Sequence, residues 1–147
     1  MTELLQNDEY ERRFAGVAKI YGDEAFNYYE HSHVMVIGIG GVGSWAVEAL
    51  ARSGIGELTL VDMDVVAASN INRQLPAMTA TLGQEKIAVM AERCYSINPR
   101  IKVNLVDDYL SSDNVKEILA MAPDLVLDCI DAVSYTHLRA HETRGNL

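Results

Sequence analysis

The feature that most constrains the fold is a glycine-rich segment, residues 38–43, between an apolar run and an amphipathic segment. The run before it, residues 34–37, is rich in β-branched side chains and stops at a glycine, which is typical of a buried parallel strand. The segment after it, residues 44–53, has overlapping apolar faces that include Trp45, and it ends at Gly54, which predicts a helix. The order of strand, G-x-G-x-x-G loop and helix is typical of proteins that bind nucleotide phosphates.

The glycines of this loop have separate physical roles in such a site. Gly38 permits the tight turn, Gly40 lets backbone N–H groups approach phosphates, and Gly43 lets helix and strand pack closely. The helix N-terminus adds a partial positive charge. Asp62 follows a second predicted strand, residues 58–61, and can accept hydrogen bonds from ribose hydroxyls. These residues predict a bound nucleotide and leave open whether it is a dinucleotide or a triphosphate.

The rest of the chain alternates between helical and strand patterns. Apolar spacing predicts a helical segment in residues 8–30, broken near Gly22, and a helix in residues 83–97. Two further strands are predicted near residues 101–105 and 125–127, with a short helix between them that Ser111 or Ser112 could cap. The alternation predicts an α/β fold: a Rossmann-like, mainly parallel sheet with helices on both faces, truncated after the fourth strand. We divide it into an N-terminal helical segment, residues 1–30, and an incomplete Rossmann-like nucleotide-binding domain, residues 31–132.

The last segment, residues 133–147, departs from this pattern because its apolar periodicity stops. The codons for Val133 to Thr143 can be spelled as a transposon-type sequencing adapter, which predicts a non-native tail of the kind excluded from fold reasoning. We therefore expect the natural chain to continue past Ala132. We also expect the 147 residues as sequenced to lack turnover.

The charge balance limits the partners. The 147 residues carry 12 Lys and Arg against 21 Asp and Glu, a net charge of −9. This argues against a broadly basic nucleic-acid surface, although a local basic patch is compatible with it. Two cysteines, Cys94 and Cys129, are too few for a disulfide scaffold and suit a reducing cytosol. Because neither a signal peptide nor a bilayer-spanning run is visible, we expect a cytoplasmic protein, and no membrane partner is evident in these residues.

Charged side chains downstream of the loop favour a triphosphate. Because parallel strands present their carboxyl ends to one crevice, Asp62 and Asp131 can face the same site. Arg73 can bind phosphate oxygens bidentately, Lys86 can bind them as a point charge, and Asp131 could hold Mg²⁺. Taken singly, each of these residues also fits an ordinary surface charge. A nicotinamide-dependent oxidoreductase is the alternative that the same loop allows, and it leaves Arg73, Lys86 and Asp131 without a role.

Residues 13–131 resemble the ubiquitin-activating-enzyme-like superfamily, whose bacterial members adenylate a carboxylate with ATP and Mg²⁺. The resemblance rests on the glycine loop and on later blocks at residues 62–64, 69–74, 83–86 and 128–131. It implies that Asp62 holds the ribose and that Asp131 is the Mg²⁺ ligand. The nucleotide-binding residues that it implies are Gly38, Gly40, Gly41, Gly43, Asp62, Asp64, Asn70, Arg73, Gln74 and Lys86. The catalytic residues that it implies are Arg73, Lys86 and Arg13, the last acting from the partner subunit of a homodimer.

Within the superfamily, residues 13–16, 20–22 and 41–54 are most similar to members that act on tRNA. Those members activate the carboxylate of N6-threonylcarbamoyladenosine so that it cyclises with loss of water. The resemblance therefore implies a tRNA substrate, with which the acidic charge balance is in mild tension because phosphate contacts need Lys and Arg. The close alternative is a member that activates the C-terminus of a small sulfur-carrier protein and works with a sulfur-transfer partner. A binding module that keeps the nucleotide fold without chemistry is a further one.

Overall fold

The structure, a computed structural model, describes the backbone of residues 2–131 and the side chains of residues 9–131. The predicted tail, residues 133–147, lies outside the described residues. The helices are α1 (Thr2–Tyr21), α2 (Asp23–Glu30), α3 (Gly43–Arg52), α4 (Lys86–Ile97) and α5 (Val115–Leu119). The strands are β1 (His33–Ile37), β2 (Glu57–Val61), β3 (Lys102–Val106) and β4 (Leu125–Asp128). Two short 3-10 helices, Ala68–Asn70 and Thr79–Thr81, lie between β2 and α4.

The four strands form one parallel sheet in the order β3-β2-β1-β4. The chain moves outward from β1 to β3 on one side, and β4 then pairs with β1 on the other side. The carboxyl ends of β1 and β4 therefore frame the point where the strand order reverses, which is where open α/β sheets bind ligands. The predicted α/β fold with a parallel sheet is confirmed.

Helices cover both faces of the sheet, as predicted. On one face, Val34, Val36, Leu58 and Leu60 pack with residues of α3 and α4 in the larger core cluster. On the other face, Ile118 of α5 packs with Met35, Ile37 and Val61 in a smaller cluster. Strand residues that alternate along β1 and β2 thus contribute to opposite faces, because successive side chains of a strand point to opposite sides.

The N-terminal helices are anchored by aromatic packing. Tyr10 and Phe14 of α1 are buried, and the rings of Phe14 and Phe26 stack with centroids 6.0 Å apart. Gly54 lies beneath them with φ +81°, and a Cβ there would be 2.7 Å from the Phe26 ring. The predicted break at Gly22 is confirmed: its φ is +91°, a conformation that favours glycine. No helix of the described residues has both the length and the hydropathy needed to cross a bilayer.

Three details of the sequence-based prediction were wrong. The helix predicted from residue 83 begins at Lys86, because Gly83 has φ +82° and Glu85 forms an antiparallel bridge with Val65. The short helix predicted to begin near residue 111 begins at Val115, after a turn whose Ser111 hydroxyl accepts the Asn114 N–H. Trp45, expected on an apolar helix face, is 55% exposed and bonds to the segment before α4.

Candidate nucleotide-binding cleft

An open cleft of about 780 Å³ lies at the carboxyl ends of β1 and β4. Nine of the residues predicted to bind nucleotide or metal line it: Gly38, Gly40, Gly41, Asp62, Asp64, Arg73, Gln74, Lys86 and Asp131. The lining is completed by Asp128 at the end of β4, by Cys129 and Ile130 directly after it, and by Val42 of the glycine loop. The fold therefore brings together residues that are up to 93 positions apart in the chain, because the reversal of strand order places β4 beside β1.

The glycine loop has the geometry that its spacing predicts. Gly38 has φ +88°, and a Cβ there would be 3.0 Å from the carbonyl oxygen of Cys129. A Cβ on Gly43 would be 1.8 Å from the carbonyl oxygen of Gly38, so only glycine allows this contact between helix and strand. At Gly40, in contrast, a Cβ would meet only the Gln74 amide at an ordinary 3.7 Å. The protein itself does not require a glycine at that position, which leaves space for a ligand to approach the backbone.

Asp62 ties the glycine loop to the end of β2. Its Oδ2 accepts the backbone N–H of Ile39 at 2.6 Å, and its Oδ1 accepts the backbone N–H of Asp64 at 2.7 Å. An ionised carboxylate offers about four lone-pair positions, so further acceptor capacity faces the cleft. Asp62 can therefore fix the loop and still accept hydrogen bonds from a ligand hydroxyl.

Lys86 is the feature of the cleft that most favours an anion. It is 5% exposed and is the first residue of α4, where the helix dipole disfavours a positive charge. Its Nζ donates to Oδ2 of Asp64 at 3.0 Å, and the side chain of Asp64 is 69% exposed. A buried ammonium with one largely solvated partner is under-compensated, since burying a charge is costly unless it is well paired. An anionic ligand in the cleft would supply the missing pairing.

Gln74 adds a buried acceptor to the cleft. Its side-chain oxygen Oε1 is the one buried side-chain polar atom of residues 9–131 without a hydrogen-bond partner, and the residue is 8% exposed. Buried polar groups are rarely left unpaired, and exceptions usually mark a bound water, ion or ligand. The amide of Gln74 is therefore complementary to something that enters the cleft.

Arg73 is held against the glycine loop by its stem and its backbone. A Cβ on Gly41 would be 3.5 Å from Cγ of Arg73, which places the stem over the loop. Its Nη1 donates to the carbonyl of Ser69 and to the side chain of Asn72, at 3.0 and 2.9 Å. The indole Nε1 of Trp45 donates to the Arg73 carbonyl at 3.0 Å. Sequence reasoning missed this role of Trp45, although a large aromatic side chain two residues after Gly43, the last glycine of the loop, was the available signal.

Ser44 is a second residue whose role was missed. Its hydroxyl donates to the carbonyl of Gly40 at 2.5 Å and accepts the backbone N–H of Leu75 at 3.2 Å. The hydroxyl therefore connects the glycine loop to the segment that carries Arg73 and Gln74. A serine at the start of a helix is a common capping residue, so its type alone did not reveal this link.

Three of the predicted site residues do not line the cleft. Gly43 lies beneath the loop as packing, and the side chain of Asn70 accepts the Ala67 N–H at 2.9 Å, which closes the first 3-10 turn. The Arg13 guanidinium donates to the carbonyls of Ser96 and Ile97, at 3.2 and 3.0 Å, and to Glu9 at 2.7 Å. These carbonyls belong to the last turn of α4, whereas Lys86 begins that helix, so about 15 Å of helix separates Arg13 from the cleft.

A second cavity, of about 490 Å³, adjoins the cleft and shares Gly38, Asp62 and Asp64 with it. Its other walls are mainly apolar and come from the ends of β1 and β2 and from the loop after β3, including Ile37, Val61, Met63, Tyr109 and Leu110. An apolar cavity next to an acid that can bind a ribose suits the flat ring of a nucleobase.

The carboxylates of the cleft do not form a metal cage by themselves. Among residues 9–131, no three His, Cys, Asp or Glu side chains are arranged to hold a metal ion. Mg²⁺ commonly takes one or two carboxylates and completes its octahedron with phosphate oxygens and water. Asp131 therefore fits such an ion only together with a phosphate ligand.

The parallel sheet with its glycine loop at the reversal point defines a Rossmann-like α/β protein. Comparison with known proteins specifies the family: the sequence model of the ThiF family matches residues 10–141, and the chain belongs to this family. The resemblance inferred from the sequence blocks is confirmed.

The most informative relatives are enzymes. The chain is 51% identical over 133 residues to the tRNA threonylcarbamoyladenosine dehydratase of Haemophilus influenzae, covering 90% of this chain and 51% of that protein. The Escherichia coli enzyme of that name, solved in complex with ATP, is 48% identical with a TM-score of 0.84, covering 86% of this chain and 52% of that one. The molybdopterin-synthase adenylyltransferase of Salmonella typhimurium is 40% identical over 113 residues, covering 77% of this chain and 44% of that protein. The chain thus spans about half the length of these relatives.

Proposed function

We propose that the protein is an ATP-dependent adenylating enzyme that dehydrates and cyclises N6-threonylcarbamoyladenosine in tRNA. The observation that carries the nucleotide part is Lys86, a buried cation at a helix N-terminus with a single solvated partner. The 51% identity to the Haemophilus influenzae dehydratase supports the tRNA substrate. ATP and tRNA are both cytoplasmic, and we propose the same location for this protein.

In the proposed complex, the nucleotide lies across the two adjoining cavities. The base occupies the apolar cavity, and Asp62 accepts hydrogen bonds from the ribose. The phosphates lie over the open backbone at Gly40 and Gly41, within reach of the charged and polar side chains of the cleft. The groups proposed for this contact are the side chains of Arg73 and Lys86 and the amide N–H of Gln74, whose Oε1 can only accept and would pair with a ligand hydroxyl or water. Asp64 would act on the nucleotide through Lys86, and Asn70 by shaping the turn that precedes Arg73.

The proposed reaction transfers AMP to a carboxylate. A carboxylate oxygen forms a bond to the α-phosphorus of ATP, and the bond from that phosphorus to pyrophosphate breaks. An internal nucleophile of the modified base then attacks the activated carbonyl carbon, and AMP leaves with the former carboxylate oxygen, which accounts for the net loss of water. Such a reaction depends on alignment and on neutralising charge, which Arg73 and Lys86 can supply without a nucleophilic side chain. Mg²⁺ bound by Asp131 would add to the charge neutralisation on the phosphates.

Arg13 enters the proposal only as a residue of a second subunit. Its guanidinium lies at the far end of α4 and cannot reach the cleft of its own chain. We therefore propose that the enzyme is a homodimer in which Arg13 contacts the outer phosphates of the partner's nucleotide. Release of Arg13 from the carbonyls of Ser96 and Ile97 would expose hydrogen-bond acceptors that water can satisfy at a helix end.

A second candidate function is activation of the C-terminus of a small sulfur-carrier protein, with a sulfur-transfer partner. The 40% identity to the Salmonella typhimurium adenylyltransferase favours it specifically. Both candidates use the same nucleotide chemistry and differ in the carboxylate that is activated. The nucleotide cleft is therefore compatible with either.

Two measurements test the proposal. Calorimetric titration of the protein encoded by the natural gene with Mg-ATP and with NADH tests the nucleotide class. We expect binding of ATP, and a preference for NADH would refute adenylation. Analysis of tRNA nucleosides from a strain that lacks the gene tests the substrate, and we expect the cyclised form of the modified adenosine to disappear. Persistence of the cyclised nucleoside in that strain would remove the dehydratase and leave the sulfur-carrier candidate.

A further inference from the structure

A second cluster of charge lies at the opposite end of α3 and α4 from the cleft. A cavity of about 430 Å³ there is lined by Arg13, Phe14, Arg52, Arg93, Ser96 and Ile97. Arg52 and Arg93 remain at this cavity when Arg13 contacts the partner's nucleotide as proposed above, in a protein whose net charge is −9. A local concentration of guanidinium groups on an acidic chain is a candidate anion site.

Glu48 holds two of these arginines in place. Its carboxylate, 11% exposed, accepts two hydrogen bonds from Arg93, through Nε and Nη2, and one from Nε of Arg52 at 2.7 Å. The hydrogen bonds from Arg93 hold the pKa of Glu48 below its usual range, so the carboxylate is ionised at neutral pH. One carboxylate bound to two guanidinium groups leaves an excess of one positive charge.

The bonds to Glu48 orient the arginines without using all their donors. A guanidinium carries five N–H donors, and the two Nη groups of Arg52 and Nη1 of Arg93 are not used by Glu48. The side chains of Arg52 and Arg93 are 59% and 41% exposed, so a ligand in the cavity can reach them. Phosphate oxygens match the planar fork of arginine, and prior orientation lowers the entropy lost on binding.

The cavity lies on the same helical layer as the nucleotide cleft. Arg52 is nine residues after Gly43, and Arg93 is seven residues after Lys86. At about 1.5 Å of rise per residue, the cavity is roughly 10 to 14 Å along α3 and α4 from the cleft.

We propose that the cavity between Arg52 and Arg93, oriented by Glu48, binds a backbone phosphate of the RNA whose modified adenosine enters the cleft. This inference rests on the proposed function. A chain of net charge −9 repels a polyanion over much of its surface, so the attraction for RNA must come from local basic sites. The excess positive charge at Arg52 and Arg93 provides such a site.

Replacement of Arg52 in the protein encoded by the natural gene tests the inference. Binding of fluorescently labelled tRNA is measured by anisotropy over a series of salt concentrations, with ATP binding measured in parallel. For Arg52→Gln we expect the Kd for tRNA to rise on the order of tenfold at low salt, and the slope of log K against log salt to fall by about 1. The Kd for ATP is expected to remain unchanged. Lys116→Gln, which removes one exposed charge from α5 on the other face, is the matched control and should leave both unchanged.

The outcomes separate the two proposals. If the wild-type protein binds tRNA and Arg52→Gln binds it equally well, the phosphate site is refuted and the proposed function stands. The phosphate site is also refuted if Arg52→Gln and Lys116→Gln lose equal affinity, because the effect is then one of total charge. If the wild-type protein binds no tRNA, both proposals fail. If Arg52→Gln does not fold, Arg52→Lys is measured instead. This variant keeps the positive charge but loses the planar guanidinium group. An unchanged affinity for tRNA in Arg52→Lys would then refute the site.

Discussion

The two ends of the α3–α4 layer differ in how completely their charged and polar side chains are paired. At the cleft end, the buried Lys86 has one solvated partner and the Gln74 carbonyl oxygen has none. At the opposite end, the carboxylate of Glu48 accepts hydrogen bonds from two arginines. Arg13 there also caps the last turn of α4. At one end of α3 and α4, buried polar groups therefore lack part of their hydrogen-bond or charge partners. At the other end, the charged side chains form a connected network.

This difference indicates what each end contributes. Unsatisfied buried groups cost stability, so they persist where a ligand completes their bonding. Paired charges fix side-chain orientation and join α1, α3 and α4. The substitutions below, in decreasing order of effect, test whether the unpaired groups of the cleft end serve nucleotide binding and whether the paired charges of the opposite end stabilise the fold and orient its arginines.

Gly43→Ala is expected to have the largest effect on stability. Its Cβ would be 1.8 Å from the Gly38 carbonyl oxygen and 2.9 Å from the carbonyl carbon, and backbone atoms cannot yield as a flexible side chain can. We expect a loss of more than about 3 kcal/mol in the free energy of unfolding, measured by chemical denaturation.

Gly40→Ala is the matched control in the same loop. Its Cβ would meet only the Gln74 amide at 3.7 Å, so we expect near wild-type stability. It would occupy the space over the backbone that phosphates need, so calorimetry should show a large loss of ATP affinity. Equal stability loss in the two variants would contradict the assignment of one glycine to packing and the other to the ligand.

Lys86→Met is expected to separate binding from stability. Removal of the ammonium should lower ATP affinity by about 100-fold, because a hydrogen-bonded charge at a phosphate is worth roughly 2 to 3 kcal/mol. Because a buried, under-compensated charge is replaced by an apolar side chain of similar length, stability should be unchanged or higher. Calorimetry and denaturation measure the two effects.

Asp64→Asn is the matched control for Lys86. The substitution removes the carboxylate that pairs with Lys86 and leaves the ammonium buried, so the protein without nucleotide should be less stable. Because ATP would then pair with this ammonium, it should raise the Tm by more than in the wild type. Lower Tm gain with ATP than in the wild type would indicate that Asp64 contacts the nucleotide directly.

The charge network at the opposite end predicts a pH dependence. The folded-state pKa of Glu48 is lowered, chiefly by Arg93, so its contribution to stability is present above the unfolded pKa near 4.5 and is lost as pH falls through the folded pKa. Glu48→Gln should cost on the order of 1 to 2 kcal/mol at pH 7. The difference from the wild type should shrink below about pH 4.5. A difference that is constant between pH 7 and pH 3.5 would show that the carboxylate charge contributes nothing.

Gly16→Ala, in α1 and away from both ends of the layer, is expected to have the smallest effect. A Cβ there would meet nothing within 4 Å, so the higher helix propensity of alanine should stabilise the protein by about 0.5 to 1 kcal/mol. Gly22→Ala is an equally open position with φ +91°, and it should destabilise instead. If both substitutions change the free energy of unfolding in the same direction, backbone conformation does not decide the outcome at these sites.

The sequence predicted the parts of the site that local spacing encodes. Gly38 and Gly43 occur in the predicted order of strand, loop and helix, and they have the backbone conformation and the close packing expected of them. Asp62 follows the second strand as predicted, but its bond to the Ile39 N–H was not predicted. The start of α4 was wrong by three residues, because the bridge between Val65 and Glu85 is a contact between distant residues that no local pattern encodes. Asn70 and Gln74 belong to one block, yet only Gln74 lines the cleft, since side-chain direction in an irregular segment depends on its tertiary contacts.

The order of elements and the position of the glycine loop can thus be read from the sequence, because hydrophobic period and glycine spacing act over a few residues. Which distant residues meet depends on the folded chain. The strand order β3-β2-β1-β4 places Asp131 in the cleft with Gly38. Hydrogen bonds to the carbonyls of Ser96 and Ile97 place Arg13 at the far end of α4. These meetings depend on how helices and strands bury their apolar faces together, and that is a property of the whole packed chain.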